Sequence, residues 1–188
     1  MEIDVVYDLC KPRSWDMAPH MDVLSRLATD RRVVELGCRS GDGSTIAFLK
    51  GRPIWLESWD LVACSNYDTI KQAADKAKIL WTFHLEDDLK AEISECDLLF
   101  IDTLHLPKQF RAELEIAGAK ASTFIGMHDL WSDTENEIND APGMVQVLGE
   151  FLAKGGWMLW YHSGESQGLT ILVRTEEYRR TRGKPWRV

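Results

Sequence analysis

Long hydrophobic runs are absent from this sequence. None of its 188 residues belongs to an apolar stretch that approaches the roughly 20 residues a helix needs to cross a bilayer. The first residues, Met1 to Asp4, also lack the basic and apolar regions of a secretory signal. We therefore expect a cytoplasmic protein that neither spans a membrane nor is exported.

Cysteines are few and widely spread. The chain has four, Cys10, Cys38, Cys64 and Cys96, and no two of them form a CxxC pair. This spacing argues against a zinc site built on paired thiols and against a small disulfide-stapled fold. We expect reduced thiols, which agrees with a cytoplasmic location.

Basic residues are outnumbered by acidic ones, 22 to 30, and the formal net charge is −8. Such a chain repels phosphate backbones, so a nucleic-acid partner is disfavoured. The exception is the C-terminal tail, 176–188, in which five basic residues and Trp186 follow Tyr178. Because short charged runs usually solvate a chain end, we interpret 1–175 as one domain and 176–188 as a solvated or packing tail.

Hydrophobic patterning predicts strands that alternate with helices. An N-terminal helix, capped by Asp16, is expected from the spacing of Met17, Met21, Leu24 and Ala28. Strands are predicted at 32–36, 53–59, 80–85, 97–101, 123–127, 157–161 and 169–174. Helices are predicted after the first, second, fourth and fifth strands, and the last two strands form a hairpin. This order predicts an α/β fold: a Rossmann-like, doubly wound, mostly parallel sheet with a C-terminal antiparallel hairpin strand.

The turn after the first predicted strand, Gly37 to Gly43, is the first candidate binding element. Gly37 and Gly41 lack side chains, so a ligand can approach the backbone there, and we expect Ser44 to cap the helix that follows. Arg39 replaces the middle glycine of a GxGxxG motif, which argues against a tightly bound pyrophosphate. A tight turn without any ligand is the alternative.

Acidic residues follow the next two predicted strands. Asp60 lies about 20 residues after the glycine turn, where an acid can accept hydrogen bonds from both hydroxyls of a ribose. Glu57 is the alternative acid. Asp87 or Asp88, after the third strand, is positioned to accept a hydrogen bond from an adenine amino group, while the other caps a helix.

Two acids and two histidines end the next pair of strands. Asp102 and Asp129 should converge on one cleft, where paired carboxylates suit a divalent cation such as Mg²⁺. His105 and His128 are each a candidate base, metal ligand or hydrogen-bonding core residue. Trp131 is expected at the rim, either over a substrate ring or sugar face or closing the core.

With these residues placed, the chain resembles the class I S-adenosylmethionine-dependent methyltransferases. Within them it is similar to the cephalosporin hydroxylase-like and macrolide-sugar O-methyltransferase group, over about residues 14 to 175. The resemblance rests on VVELGCRSGDGSTIAFL, on DLLFIDTLHLPKQFRAELEIAGAKASTFIGMHD and on DMAPHM with His20. The first of these looks like the group's E-x-G-x-R-x-G-x-S form, with Arg39 at a glycine position and with Ser44 one residue later than the serine of that form.

The resemblance implies a set of site residues. Those expected to bind S-adenosylmethionine are Glu35, Gly37, Arg39, Gly41, Ser44, Asp60, Asp87 and Asp102. Asp102, His128 and His105 are the catalytic candidates, and Asp102, Asp129 and His128 are the metal-binding candidates. Because metal-dependent members carry an acid where this chain has His128, the site is expected to bind no metal or a metal softer than Mg²⁺.

The implied activity is methyl transfer from S-adenosylmethionine to a hydroxyl of a small molecule, a sugar or a glycan. One alternative is a module that binds the cofactor without catalysis, or a subunit of a larger assembly. An NAD-using oxidoreductase is the other, and the missing GxGxxG motif and the closing hairpin argue against it. Oligomer formation remains open from the sequence.

Overall fold

The computed structural model describes residues 1–130, 135–136 and 139–180, and seven of its strands form one sheet in the order β3-β2-β1-β4-β5-β9-β8. The strands are β1 (Arg32–Leu36), β2 (Trp55–Asp60), β3 (Leu80–Leu85), β4 (Cys96–Ile101), β5 (Ala121–His128), β6 (Glu135–Asn136), β7 (Asn139–Asp140), β8 (Trp157–Ser163) and β9 (Leu169–Arg174). Neighbours from β3 to β5 are parallel, and β9 is antiparallel to both β5 and β8. The sheet order therefore reverses between β1 and β4, and the predicted fold with its antiparallel hairpin strand is confirmed.

Helices cover both faces of this sheet. They are α1 (Ile3–Cys10), α2 (Met21–Ala28), α3 (Ser44–Lys50), α4 (Tyr67–Lys76), α5 (Pro107–Ile116), α6 (Ala141–Ala153) and α7 (Thr175–Arg180). Short 3-10 turns span Lys11–Arg13, Gly118–Lys120 and Glu165–Gln167. In the part of the chain that the structure describes, no helix has the length and apolar character of a membrane span.

Two hydrophobic layers sandwich the sheet. Along β4, Leu98 and Phe100 face the layer under α1 to α4, whereas Leu99 and Ile101 face the layer under α5 and α6. All four are at most 3% exposed, as expected of a parallel strand buried on both faces. This double burial explains why the central strands read as continuous apolar runs in the sequence.

Most predicted strands agree with the structure. The bounds predicted for β1, β3 and β9 are the observed ones. The second strand begins at Trp55 rather than at residue 53, since Pro53 has no N–H to donate to a ladder. β5 is longer than predicted and extends through His128.

The predictions for the N-terminal region and for the start of α3 were partly wrong. The helix predicted from Asp16 begins only at Met21, and Asp16 instead accepts a hydrogen bond from the Met17 amide at 2.9 Å in a separate turn. α1 was not predicted. Ser44 is the first residue of α3 but makes no cap, because its hydroxyl points inward to Glu35.

Two predicted features extend beyond the described residues. Trp131, expected at the rim of the cleft, lies outside them, as do residues 181–188 of the basic tail. The first part of the tail forms α7, in which Arg180 pairs with Glu177 at 2.8 Å.

Candidate functional site

The carboxyl ends of β1 to β5 meet at one edge of the sheet, because these strands are parallel. A cavity of about 350 Å³, the larger cavity, opens there beside the point where the strand order reverses. Its lining comes from the turns after β1, β2, β3 and β4 and includes Gly37, Asp60, Leu61, Asp88, Thr103 and Leu104. Residues far apart in the sequence are thus brought to one place by the topology.

A second cavity of about 240 Å³, the smaller cavity, lies between the turn after β1 and the segment that precedes α2. Its lining includes Ser14, Trp15, Asp16, Ser40 and Ser44. Arg39 and Asp102 line both cavities. Their side chains approach within 4.0 Å, Nη2 to Oδ1, so this pair lies between the two spaces.

The turn after β1 packs directly on the end of β4. Gly37 has φ of +82°, and a Cβ there would overlap the carbonyl oxygen of Asp102. At Gly41, with φ of +80°, a Cβ would approach Ile70 Cδ1 to 2.5 Å. The left-handed backbone favours glycine at both positions, and at Gly37 a Cβ would also meet backbone atoms. Of the two, Gly37 lines the larger cavity, while Gly41 lies beneath the turn and lines neither.

Asp60, at the end of β2, is bonded to the backbone of this turn. Its Oδ2 accepts hydrogen bonds from the amides of Cys38 at 2.9 Å and Arg39 at 2.7 Å. Its Oδ1 accepts from the amide of Val62 at 2.8 Å. These bonds fix the carboxylate at the wall of the larger cavity. Glu57, the alternative acid, lines neither cavity and accepts from Ser94 Oγ at 3.0 Å.

Glu35 lies fully buried behind the turn. Its carboxylate accepts hydrogen bonds from Ser44 Oγ at 2.5 Å, Thr45 Oγ1 at 2.8 Å and Ser58 Oγ at 2.6 Å. Burial raises the pKa of Glu35 to about 7, although the three hydroxyls lower it in part. The side chain therefore joins β1, β2 and α3 beneath the site and reaches the cavities only through neighbouring residues.

Asp87 and Asp88 differ in their surroundings, although both line the larger cavity. Asp87 accepts from the Leu89 amide at 3.1 Å and pairs with Lys90 at 2.8 Å. Its pKa is lowered, chiefly by the hydrogen bond from Lys90. Asp88 is 9% exposed, and among the described residues its Oδ2 has no hydrogen-bond donor.

Four titratable side chains cluster where β4 and β5 end. His105 Nε2 lies 3.3 Å from Asp102 Oδ1 and 3.3 Å from Asp129 Oδ2. His128 Nδ1 lies 3.6 Å from Asp102 Oδ1 and 2.8 Å from Asp129 Oδ1. Asp129 has φ of +61°, in the left-handed region that residues other than glycine rarely occupy.

The two histidines of this cluster share both carboxylates. Burial by itself would raise the pKa of Asp102, but the nearby imidazoles of His105 and His128 outweigh burial and lower it. Burial would likewise lower the pKa of His128, yet the carboxylates of Asp102 and Asp129 raise it to about 10. At neutral pH His128 is thus an imidazolium between two carboxylates.

Comparison with known proteins gives the fold a name. No family model and no curated protein matches the sequence. Among solved structures, a magnesium protoporphyrin IX methyltransferase (ChlM) from Synechocystis PCC 6803 with bound SAM has a TM-score of 0.62 and 14% identity, over 84% of this chain and 79% of that chain. A protein described as a caffeoyl-CoA O-methyltransferase from Staphylococcus aureus has a TM-score of 0.65 and 12% identity, over 93% and 92%. The N-methyltransferase NodS from Bradyrhizobium japonicum WM9 has a TM-score of 0.55 and 15% identity, over 83% and 93%. The chain has the class I methyltransferase fold.

In the class I methyltransferase fold, the ligand lies beside the reversal point of the sheet. The larger cavity occupies that place. Of the residues predicted to bind the cofactor, Gly37, Arg39, Asp60, Asp87 and Asp102 line it. The narrower similarity to the cephalosporin hydroxylase-like group stays a prediction, because no sequence match tests it.

The donor atoms beside this fold's cavities fit a divalent cation. Ligand atoms of Asp102, His105 and Asp129 all lie within 4.8 Å of one another, as do those of Asp16, His128 and Asp129. His128 Nδ1 and Asp129 Oδ1 lie 2.8 Å apart, but their geometry is not that of a hydrogen bond. Among the described residues, neither atom has a hydrogen-bond partner. Two carboxylates with an imidazole suit a transition metal better than Mg²⁺. His105, rather than the predicted His128, joins Asp102 and Asp129 in one of these groups.

Sequence reasoning missed three residues near the site. Asp16 was interpreted only as a helix cap, yet it lines the smaller cavity. His20 stacks edge-on against His128, with ring centroids 5.4 Å apart, and its Nε2 lies 2.9 Å from the Glu165 carbonyl oxygen. Glu113 is buried on α5. The only signal for this in the sequence is its helical spacing from the apolar residues Phe110 and Ala117.

Proposed function

We propose that this protein is an S-adenosylmethionine-dependent methyltransferase whose acceptor is a hydroxyl of a small molecule or sugar. One observation carries the proposal: the Asp60 carboxylate is fixed to the backbone of the Gly37 turn at the wall of the larger cavity. A class I fold with an acid in this position provides the acceptor that ribose hydroxyls need.

The two cavities together suit an elongated ligand. The larger cavity offers Asp60 and the apolar side chains of Leu61, Val62 and Leu104, each at least half exposed, to a nucleoside. The smaller cavity offers Arg39 and Ser40 to the amino-acid end of such a ligand. Arg39 and Asp102 line both cavities, so a ligand that extends from one cavity to the other would pass this pair.

When bound, S-adenosylmethionine supplies a methyl group that is activated by its positively charged sulfur. The protein has to hold the acceptor oxygen in line with that methyl group, and orientation of this kind contributes about 7–11 kcal/mol. The smaller cavity and the acid–histidine cluster adjoin each other at Asp102 and Asp16, so we place the acceptor between them.

We assign the removal of the acceptor proton to His105. Its Nε2 lies 3.3 Å from Asp102 and 3.3 Å from Asp129, which leaves Nδ1 to take up the proton. The two carboxylates then stabilise the imidazolium that forms. His128 is less suited, because its raised pKa keeps it protonated at neutral pH. If a divalent ion is held by Asp102, His105 and Asp129 instead, His105 is a ligand and not the base, and the ion would lower the pKa of an acceptor hydroxyl.

Two measurements test the proposal. Calorimetry with S-adenosylhomocysteine should give a saturable heat of binding, whereas NAD should give none. Incubation with tritiated S-adenosylmethionine and a small-molecule extract should transfer label to an acceptor. His105→Gln should retain cofactor binding and lose most transfer, by about 10²–10⁴-fold. Binding without any transfer would instead support a non-catalytic module.

A further inference from the structure

A second pair of acids lies beside the larger cavity, away from the acid–histidine cluster. Asp88 follows β3 and lines the cavity, whereas Glu113 lies behind it on α5. Asp88 is 9% exposed and Glu113 is 1% exposed. The two carboxyl groups lie close enough for each to shift the pKa of the other. Buried carboxyl groups in contact need either a cation or a proton between them.

Among the described residues, no basic side chain is paired with either carboxyl group. The acids Asp87 and Asp60 lie near the pair, and the ammonium of Lys90 is paired to Asp87 at 2.8 Å. Arg39 lines the same cavity, but its guanidinium lies 4.0 Å from Asp102 and 3.9 Å from Asp16. Among the described residues, Asp88 Oδ2 and Glu113 Oε2 are both buried and without a hydrogen-bond partner. A single proton shared by the two groups satisfies both oxygens.

The remaining hydrogen bonds place this proton on Glu113. Its Oε1 accepts from Gln109 Nε2 at 2.8 Å and from the hydroxyl of Thr103. In a carboxylic acid the carbonyl oxygen accepts and the hydroxyl oxygen donates. Because Oε1 already takes two donors, it acts as the carbonyl oxygen, which leaves Oε2 as the hydroxyl that donates to Asp88.

We propose that Glu113 is a positioning residue of the cofactor cavity, which donates its proton to Asp88 and thereby fixes the Asp88 carboxylate toward the amino group of the adenine. The inference rests on the proposed function. It selects Asp88 over Asp87, whose carboxylate is occupied by Lys90 and the Leu89 amide.

The pair makes cofactor binding depend on pH. Burial and the nearby Asp88 carboxyl together raise the pKa of Glu113 to about 7, although the Thr103 hydroxyl and the Gln109 amide lower it in part. Above this pH Glu113 ionises, and its charge repels the Asp88 carboxylate. The binding-competent fraction then falls about tenfold for each further unit of pH, and the apparent Kd rises in proportion.

The test compares Glu113→Gln with Glu115→Gln, a control on the exposed side of the same helix. Calorimetry with S-adenosylhomocysteine is run at pH 6 and pH 8. The Kd of the parent protein and of Glu115→Gln should rise about tenfold. That of Glu113→Gln should change less than about twofold, because the amide donates to Asp88 at either pH. A tenfold rise in Glu113→Gln overturns the inference.

Infrared spectroscopy separates this result from the proposed function. The parent protein at pH 6 should show a carboxylic-acid C=O band that Glu113→Gln lacks and Glu115→Gln keeps, whether or not any cofactor binds. If the parent protein binds no cofactor at either pH, the proposed function fails and the positioning role fails with it. The infrared band then shows only whether Glu113 carries the proton.

If Glu113→Gln does not fold, Asp88→Asn provides the same comparison, since its amide can donate to an ionised Glu113.

Discussion

Asp60 Oδ2 accepts a hydrogen bond from the backbone amide of Arg39 at 2.7 Å, so the carboxylate that ends β2 is joined to the turn that follows β1. The same oxygen also accepts from the amide of Cys38. Three backbone amides in total hold this side chain, and one wall of the larger cavity is therefore formed before any ligand binds. Preorganisation of this kind reduces the cost of binding.

Replacing Asp60 with Asn should weaken cofactor binding. The amide has only one acceptor oxygen and turns an NH₂ group toward backbone donors, so the turn loses hydrogen bonds and the ribose loses an acceptor. We expect the Kd for S-adenosylhomocysteine to rise by at least about tenfold, equivalent to about 1.4 kcal/mol. Calorimetry measures this.

Glu57→Gln is the matched control, since Glu57 lies on the same strand but outside both cavities. Its binding should equal that of the parent protein. Equal losses in the two variants would mean that Asp60 acts through the stability of β2 rather than on the ligand.

The sequence was sufficient to predict the fold because buried parallel strands leave a strong apolar pattern. Leu98 to Ile101 are enclosed on both faces, and the run is visible without any structure. The placing of site residues also followed from topology, since Asp60 and Asp102 come directly after strands. The hydrogen-bond partners of the side chains could not be predicted from the sequence. Ser44 was taken as a cap because its bond to Glu35 crosses elements, and no local pattern records such a contact.

The choice between Asp87 and Asp88 shows the same limit. Both acids follow one strand, and propensity treats them alike. Their difference arises from Lys90 on one side and Glu113 on the other, and Glu113 is 25 positions away from Asp88 in the chain. Local sequence therefore identifies the turn as a binding element but not which carboxylate faces the cavity.

Gly37→Ala should destabilise the protein strongly. A methyl group at this position overlaps the Asp102 carbonyl oxygen, and the left-handed backbone disfavours alanine. We expect a loss of at least about 2 kcal/mol in the free energy of unfolding, measured by urea denaturation.

Gly149→Ala provides the contrast. Gly149 lies in α6, and a Cβ there meets no atom within 4 Å. Alanine should therefore stabilise the helix by about 0.5–1 kcal/mol. A neutral effect of Gly37→Ala would show that the end of β4 can move away from the turn.

Glu35 should make the stability of the protein fall as the pH rises. Burial raises its pKa from 4.5 to about 7, so the folded state holds a proton that the unfolded state has already lost. Stability from this group is complete below pH 4.5 and is lost progressively up to about pH 7. In Glu35→Gln this loss disappears. The stability of the variant relative to the parent should rise by about 3 kcal/mol between pH 4.5 and 7.5.

Urea unfolding at several pH values measures this difference. Thr29→Ala, at the exposed end of α2, retains Glu35 and serves as a control whose stability should fall with pH as that of the parent does. Parallel stability curves for the parent and Glu35→Gln would mean that the three surrounding hydroxyls hold Glu35 ionised throughout.

The acid–histidine cluster should prefer Co²⁺ or Ni²⁺ to Mg²⁺. The carboxylate oxygens of Asp102 and Asp129 and a ring nitrogen of His105 lie within 4.8 Å of one another. An imidazole ligand raises the affinity of such a site for later transition metals more than its affinity for Mg²⁺. After the protein has been treated with a chelator, a thermal-shift titration with Ni²⁺ should show saturable stabilisation. Mg²⁺ at the same concentrations should not stabilise the protein. His105→Gln should remove the Ni²⁺ effect, whereas His162→Gln, at an exposed histidine on β8, should retain it. Equal responses to Ni²⁺ and Mg²⁺ would mean that the carboxylates alone bind the ion, with His105 left as a base rather than a ligand.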